Sequence, residues 1–358
     1  MVAKLNYPQI GLLILAWFIA DLATPLIIHL CHRIGAVDRP HTYKLHKNPV
    51  PFLGGVAIYL SFSIALFSIL RFTGYEENRE LFAIIFGGSL IVLVGAIDDF
   101  RPISAVLKLF ILFVVTWFLA KFGVRIEMVG IFWVDLFLTL VWIAGVTSSV
   151  NSLDNMDGAA AGVSAVAALA TFLIAFYSAP FGQPGVSFVA ITLFGACLGF
   201  LRYNFRPARI FLGDNGSLLL GFLIASLMVL TGWARDDKFK AVVVPCSILV
   251  VPLFDITLCT ILRIRNGVVK GIVGAIVYCG QDHLSHRLVA LGLSQRMAVI
   301  TMYAFGIIGG AMGFVISRPE VTQEYYIPMT TVSIVILILF GHYLDRAPVY
   351  TDKDRIRT

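Results

Sequence analysis

The chain has 358 residues, of which 59% are hydrophobic and only 13% charged, with a formal net charge of +6 and a mean hydropathy of +0.89. Soluble globular domains run at roughly 45–50% apolar and about 25% charged, so these values exclude an ordinary soluble protein and identify an integral membrane protein. Spans of about 20 residues each use most of the chain, which predicts one membrane domain over residues 1–358, and the basic residues sort by side of the membrane rather than into a patch for nucleic acid.

Apolar runs fall at about 10–30, 52–70, 81–97, 105–120, 134–150, 159–179, 186–201, 216–233, 241–262, 297–316 and 327–342. The pattern predicts an all-α, polytopic membrane protein with about eleven transmembrane helices. No small-residue cleavage signal follows the first run, so it reads as a retained helix, not a signal peptide. Loops after odd-numbered runs then share one face and hold eighteen of the 27 Lys and Arg residues. The positive-inside tendency assigns that face to the cytoplasm, with the N-terminus outside and the C-terminus cytoplasmic. Between runs four and five, Phe122 to Trp133 alternates loosely and predicts a small hairpin, and Asp135 interrupts the start of run five. Asp21, near the middle of run one, has no explanation at this level. Gly306, Gly309, Gly310 and Gly313 in run ten suit close helix packing, either within the chain or between the subunits of a homodimer. The five cysteines have no paired spacing and read as packing residues.

Polar clusters at 46–55, 98–108, 148–158, 211–217, 252–265 and 282–288 all lie where an apolar run starts or stops on the predicted cytoplasmic face. Hydrocarbon leaves a charge or a loose backbone group uncompensated, so Phe211-Leu-Gly-Asp-Asn-Gly-Ser217 must sit at an aqueous face or in a wet cavity. Asp98 and Asp99, followed by Arg101 and Lys108, suit a site for phosphate and a metal ion; an interfacial helix cap is the plainer reading. On a helical continuation Asn151, Asp154 and Asn155 share one face, where amide and carboxylate oxygens suit a hard cation such as magnesium. Arg202, Arg206, Arg209, Arg263 and Arg265 are each topology anchors on the plain reading, and together they supply counter-charge for a diphosphate. A zinc site from Cys279, His283 and His286 is disfavoured, because Arg287 adds positive charge and a fourth ligand is not evident.

Taken together, His46-Lys-Asn-Pro-Val-Pro-Phe-Leu-Gly-Gly55, Gly95-Ala-Ile-Asp-Asp99, Asn151 to Gly158, Phe211 to Ser217, Pro252-Leu-Phe-Asp255 and His283-Leu-Ser-His-Arg-Leu288 resemble the polyprenyl-phosphate N-acetylhexosamine-1-phosphate transferases. These motifs occur in that family's order over residues 46–288. The resemblance implies ten or eleven helices, an active site on the cytoplasmic side of the plasma (inner) membrane, and magnesium, or manganese in its place, as cofactor. It makes Asp214 the principal metal ligand and Asn151 a second. Asp98 matches the carboxylate that deprotonates or orients the lipid phosphate, Asp99 and Lys108 match neighbours of the phosphates, and Asp154 joins this catalytic group. Asp157 and Phe211 match positions holding uracil. Lys47, Arg263, Arg265, His283, His286 and Arg287 match substrate contacts, the last three in a loop over the sugar and diphosphate.

The implied reaction moves N-acetylglucosamine 1-phosphate from a UDP-sugar donor to undecaprenyl phosphate within the lipid membrane, releasing UMP. Another UDP-N-acetylhexosamine is the alternative donor, and an ion-coupled transporter is the alternative outside enzymes. Three positions depart from the family pattern: Ser148 and Asn155 stand where asparagine and glycine are common, and Ser285 replaces one histidine of a fuller run. The triple-histidine loop of the muramoyl-pentapeptide branch is absent, which favours an N-acetylglucosamine-type donor.

Overall fold

A computed structural model describes residues 7–39, 49–73, 79–177, 183–231, 237–271, 274–275, 278 and 280–350. Each of the eleven apolar runs forms a helix or, in one case, a bent pair: α1 (Tyr7–Ile34), α2 (Gly54–Thr73), α3 (Arg79–Phe100), α4 (Ala105–Lys121), α5 (Phe132–Ser152), α6 (Ala159–Tyr177), α7 (Pro184–Asn204), α8 (Gly213–Leu230), α9 (Lys238–Ile248) with α10 (Val250–Arg265), α12 (Gln295–Ile316) and α13 (Gln323–Leu344). The short α11 (Leu284–Ala290) lies between the bent pair and α12. Among the described residues, eight single helices and the bent pair have the length and apolarity to cross a bilayer. The two other runs are α2 and the 17-residue α4.

The ninth run, expected as one span, breaks by 85° at Leu249. Pro245 lies inside α9, where it has no N–H to donate and its ring crowds the preceding turn; Pro252 falls in the first turn of α10, where proline is tolerated. The expected hairpin after α4 is a loop without strands. Asp135 shapes it: its buried carboxylate accepts from the amides of Met128, Val129 and Gly130 at 3.2, 2.8 and 2.9 Å. The only strands among the described residues are β1 (Val37–Asp38) and β2 (Val50–Pro51), an antiparallel pair the apolar pattern did not signal.

At the centre, α8 is buried from Asn215 to Met228 and packs on α3 and α5. Around it, α1 packs on α2 and α7, and α12 packs on α6 and α9. Asp21 is explained here: both its oxygens accept from Arg202 Nη1 at 2.8 Å, joining α1 to α7. Gly195 faces Leu13 and Gly199 faces Trp17, so these two odd-numbered runs lie parallel. The glycines of α12 are used inside the chain, Gly306 and Gly310 against α6 and Gly309 and Gly313 against α9.

Candidate active site

The entry to α8 is built by close backbone approach. A methyl group on Gly55 would overlap the backbone of Gly216, and one on Gly95 would overlap the backbone of Asn215. With these positions bare, α2 and α3 meet the first turn of α8 directly. Gly213 opens that turn at φ +74°, a left-handed conformation that glycine adopts without steric penalty. The segment before it is tied to β2 and α2: Phe211 N–H donates to Pro51 O, and the amides of Gly54 and Gly55 donate to Phe211 O and Leu212 O.

The first turn of a helix leaves amides without partners, and Leu212, at the cap position of α8, offers no side-chain acceptor. Asp99, from the end of α3, fills that role. Its Oδ1 accepts from the amide of Asp214 at 2.8 Å, and its Oδ2 accepts from the amide and side-chain Nδ2 of Asn215 at 3.1 and 2.5 Å. The neighbouring Asp98 turns elsewhere, as adjacent helical residues about 100° apart must. Its Oδ1 accepts from Ile103 N–H at 2.6 Å and its Oδ2 from Lys108 Nζ at 2.5 Å. Lys108 also donates to Asp214 Oδ2 at 3.0 Å, and Asn151 Nδ2 donates to Asp214 Oδ1 at 3.0 Å and to Ser217 Oγ at 2.8 Å. Residues from α3, α4, α5 and α8 thus meet at one half-exposed carboxylate.

This centre carries more negative than positive charge. Asp98 and Asp214 share the ammonium of Lys108, and Asp99 adds a third carboxylate held by amide donors. Asp154, in the loop after α5, has its carboxyl pushed up to about 8, first by loss of solvent and then by the nearby Asp214, Asp99 and Asp157. Carboxylates gathered this closely on an aqueous face are the surroundings in which a cation is held. Carboxylate and amide oxygens are the donors a hard divalent ion takes, so Asp214 and Asn151 fit magnesium. Asn151 would meet it through its amide oxygen, after a turn of the amide that now donates to Asp214 and Ser217.

Around the centre, Asp157 Oδ2 accepts from Ala208 N–H at 3.1 Å and lies 3.8 Å from Arg206 Nη1. Asn204 joins the two loops involved, accepting from Gly158 N–H and donating to Ile210 O, while Tyr303 Oη donates to Gly158 O. Phe211 is half-buried on the segment leading into α8. Lys47, like His46 and Cys279, lies outside the described residues.

The last cluster is a second, interior network. Arg263 grips Asp282 with Nε and Nη2 at 2.7 and 2.6 Å and donates Nη1 to Ala275 O. Arg287 donates to Asp282 O, Leu344 O and Tyr350 Oη, and Tyr350 in turn donates to Asp282 Oδ2 at 2.7 Å. Arg263 and Arg287 are 1% and 0% exposed, with their donors directed at protein groups. His283 Nε2 lies 3.3 Å from Arg263 Nη2, which can only donate, so Nε2 accepts and Nδ1 donates to Asp255 Oδ2 at 2.8 Å. Asp255, Cys259 and His283 have metal-ligand types within 4.8 Å of one another, but the adjacent guanidinium and these hydrogen bonds make the group a closed polar core. Arg265 lies outside it, in an exposed pair with Asp345 at 3.0 Å.

His286 differs from its neighbours: it is half-buried, makes no hydrogen bond to the described residues, and its imidazole is held below the ordinary value of 6.5 by burial and then by His283. Beside it, Ser285 Oγ donates to Asn155 Oδ1 at 2.5 Å, so two of the three departures from the family pattern touch each other. Asn204 and Tyr350 are not singled out by sequence, and Asp282 enters only as the first residue of the 282–288 cluster. Each is one polar residue at the end of an apolar helix or in a loop, and no spacing marks it.

Residues 81–232 match the family described as glycosyl transferase family 4. A probable undecaprenyl-phosphate N-acetylglucosaminyl 1-phosphate transferase of Bacillus subtilis is 33% identical over 326 residues, which cover 88% of this chain and 86% of the relative. A decaprenyl-phosphate N-acetylglucosaminephosphotransferase of Mycobacterium leprae is 28% identical, covering 86% and 84%. A phospho-N-acetylmuramoyl-pentapeptide-transferase of Shouchella clausii is 29% identical, covering 84% and 95%.

Proposed function

The chain belongs to glycosyl transferase family 4, the membrane-embedded phosphoglycosyl transferases that load sugar phosphates onto polyprenyl phosphates, and from that premise we propose that it transfers N-acetylglucosamine 1-phosphate from UDP-N-acetylglucosamine to undecaprenyl phosphate. The observation that carries this reading is the meeting of Asp98, Lys108, Asn151 and Asp214 at the entry of α8. Names of relatives point to the N-acetylglucosaminyl donor. The site faces the cytoplasm, where lysines and arginines are in excess and nucleotide sugars are made.

An oxygen of the lipid phosphate attacks the sugar-bearing phosphorus of the donor, the bond from that phosphorus to the bridging oxygen breaks, and UMP leaves. Phosphoryl transfer asks the protein mainly for alignment and charge neutralisation. Asp214 and Asn151 would hold a magnesium ion, which when bound would supply positive charge at the diphosphate. Lys108 holds Asp214 and Asp98 in register and presents its ammonium to the phosphates. A phosphate monoester, with its second pKa near 6, is mostly dianionic at pH 7, so Asp98 orients the attacking phosphate rather than having to deprotonate it. Asp157 and Phe211 frame the uracil side, and His286 faces the sugar. Arg263, Arg287 and His283 act on the loop that carries His286 and not on substrate, because their polar atoms are committed within the protein.

The transporter alternative predicts ionisable residues at the bilayer midplane, whereas Asp98, Asp99, Asn151 and Asp214 lie at the ends of α3, α5 and α8. The deciding test is purified protein with undecaprenyl phosphate and magnesium, challenged with a panel of UDP-sugars while UMP is followed. Release with UDP-N-acetylglucosamine alone supports the reading, and flux across vesicles without UMP would sink it.

A further inference from the structure

The last turn of α5 carries Asn151 and the loop after it carries Asp154 at the charged centre, and α11 carries His286 some 130 residues later. They are joined by the bond from Ser285 Oγ to Asn155 Oδ1. Ser285 is fully buried and directly precedes the unbonded His286; Asn155 directly follows Asp154 and is anchored by its own Nδ2 to Ser152 O at 2.9 Å. The other flank of His286 is equally fixed, since Arg287 is tied to Asp282, Leu344 and Tyr350. A half-buried imidazole between two immobilised residues is thereby tied to the loop after α5, and the Asn155–Ser285 bond is a direct side-chain link between that loop and α11.

Resting on the function proposed above, we propose that Asn155 and Ser285 are a positioning pair that sets the spacing between the diphosphate centre and the sugar-facing His286, and thereby governs donor binding and the choice between donor sugars. Here a longer asparagine meets a short serine, and the glycine and histidine of the family pattern would place the long side chain on the opposite partner. The pair is therefore a volume-matched unit, and changing one member displaces α11 relative to the loop after α5.

The test compares full-length wild type, Ser285→Ala, Asn155→Gly, the double variant, and Asn155→Gly with Ser285→His. Donor KM, lipid-acceptor KM and the kcat/KM ratio for UDP-N-acetylglucosamine over its C4 epimer are measured, with thermal unfolding alongside. Displacement of His286 on loss of the Asn155–Ser285 bond predicts about a tenfold rise in donor KM for each single variant, the scale of one hydrogen bond. Acceptor KM and melting temperature stay near wild type, the epimer ratio falls, the double variant is no worse than the worse single, and the glycine–histidine pair regains donor affinity. Asn155 is half-exposed on a loop, so Asn155→Gly reads out the pair even where Ser285→Ala does not accumulate. An unchanged donor KM and epimer ratio in Asn155→Gly, or equal rises in donor and acceptor KM, would overturn the pair's role while wild-type turnover left the transferase reading standing. Wild type that released no UMP from any UDP-sugar would instead defeat that reading first.

Discussion

Asp99 holds Asp214 by its backbone, not by its side chain: the carboxylate ending α3 accepts the Asp214 amide at 2.8 Å and so caps the helix whose first turn carries the proposed metal ligand. Capping from a different helix makes the two aspartates inseparable in geometry but different in role.

That difference is measurable. Asp99→Asn sets an amide N–H₂ against backbone donors and should lower stability by about 1.5–3 kcal/mol, the range for a hydrogen bond to a charged group, with turnover falling in parallel. Asp214→Asn should leave the melting temperature near wild type and abolish magnesium-dependent UMP release. Thermal unfolding and UMP assays on both variants check this, and normal stability in Asp99→Asn would refute the cap.

Lys108 competes with any cation for Asp214, since its ammonium lies 3.0 Å from Oδ2. Lys108→Met should therefore tighten magnesium binding in the substrate-free protein while reducing turnover on the order of 100-fold or more, as for loss of one preorganised charge at developing phosphate charge. Calorimetric titration with magnesium gives the first quantity and UMP release the second. Weaker magnesium binding would show that Lys108 organises the ion site instead of screening it.

The Arg263–Asp282 pair predicts a stability effect. Removing one partner of a buried pair leaves a charge unmatched, so Arg263→Met should cost about 3–5 kcal/mol, and Arg263→Met with Asp282→Leu should recover much of that loss. Arg265→Ala, which breaks an exposed pair with Asp345, should change stability by less than about 1 kcal/mol. Chemical denaturation of the three variants in detergent decides. An Arg263→Met protein of wild-type stability but raised donor KM would return Arg263 to the substrate.

His286 predicts an acid-side loss. Its imidazole is depressed below 6.5 by burial and by His283, while the Asp255 and Asp282 carboxylates pull the other way. Below 6.5 the unfolded chain takes up a proton that the folded chain resists, so the folded state loses stability as pH falls toward the depressed value and regains it as pH rises. Donor kcat/KM should fall over the same window as neutral His286 is lost. His286→Gln should flatten that limb of a pH 5–8 profile; an unaltered limb would assign it to another group.

Much of the fold was legible because the bilayer imposes a simple rule. Apolar runs of about 20 residues must be helices, so the helix boundaries expected from hydropathy and those observed differ by only a few residues for most runs, α5 expected at 134–150 and found at 132–152 among them. The 85° break at Leu249 was not legible, because hydropathy continues through it and only the local proline geometry ends the helix. The polar side chains at the charged centre were legible as a set, since any charge at the end of an apolar run needs a reason to be there.

Sequence alone determined that this is a multi-pass helical membrane protein, which family it resembles, and which polar residues gather at the ends of its apolar runs, because solvation by lipid penalises every misplaced polar group and leaves a visible pattern. Tertiary structure decided the division of labour among those residues. Asp98 and Asp99 are neighbours in the chain, yet one meets Lys108 and the other caps α8; His283 and His286 share a loop, yet one is bonded to Asp255 and the other has no hydrogen-bond partner among the described residues. Such assignments depend on which donor or acceptor a distant helix brings within 3 Å, and a linear pattern carries no record of that distance.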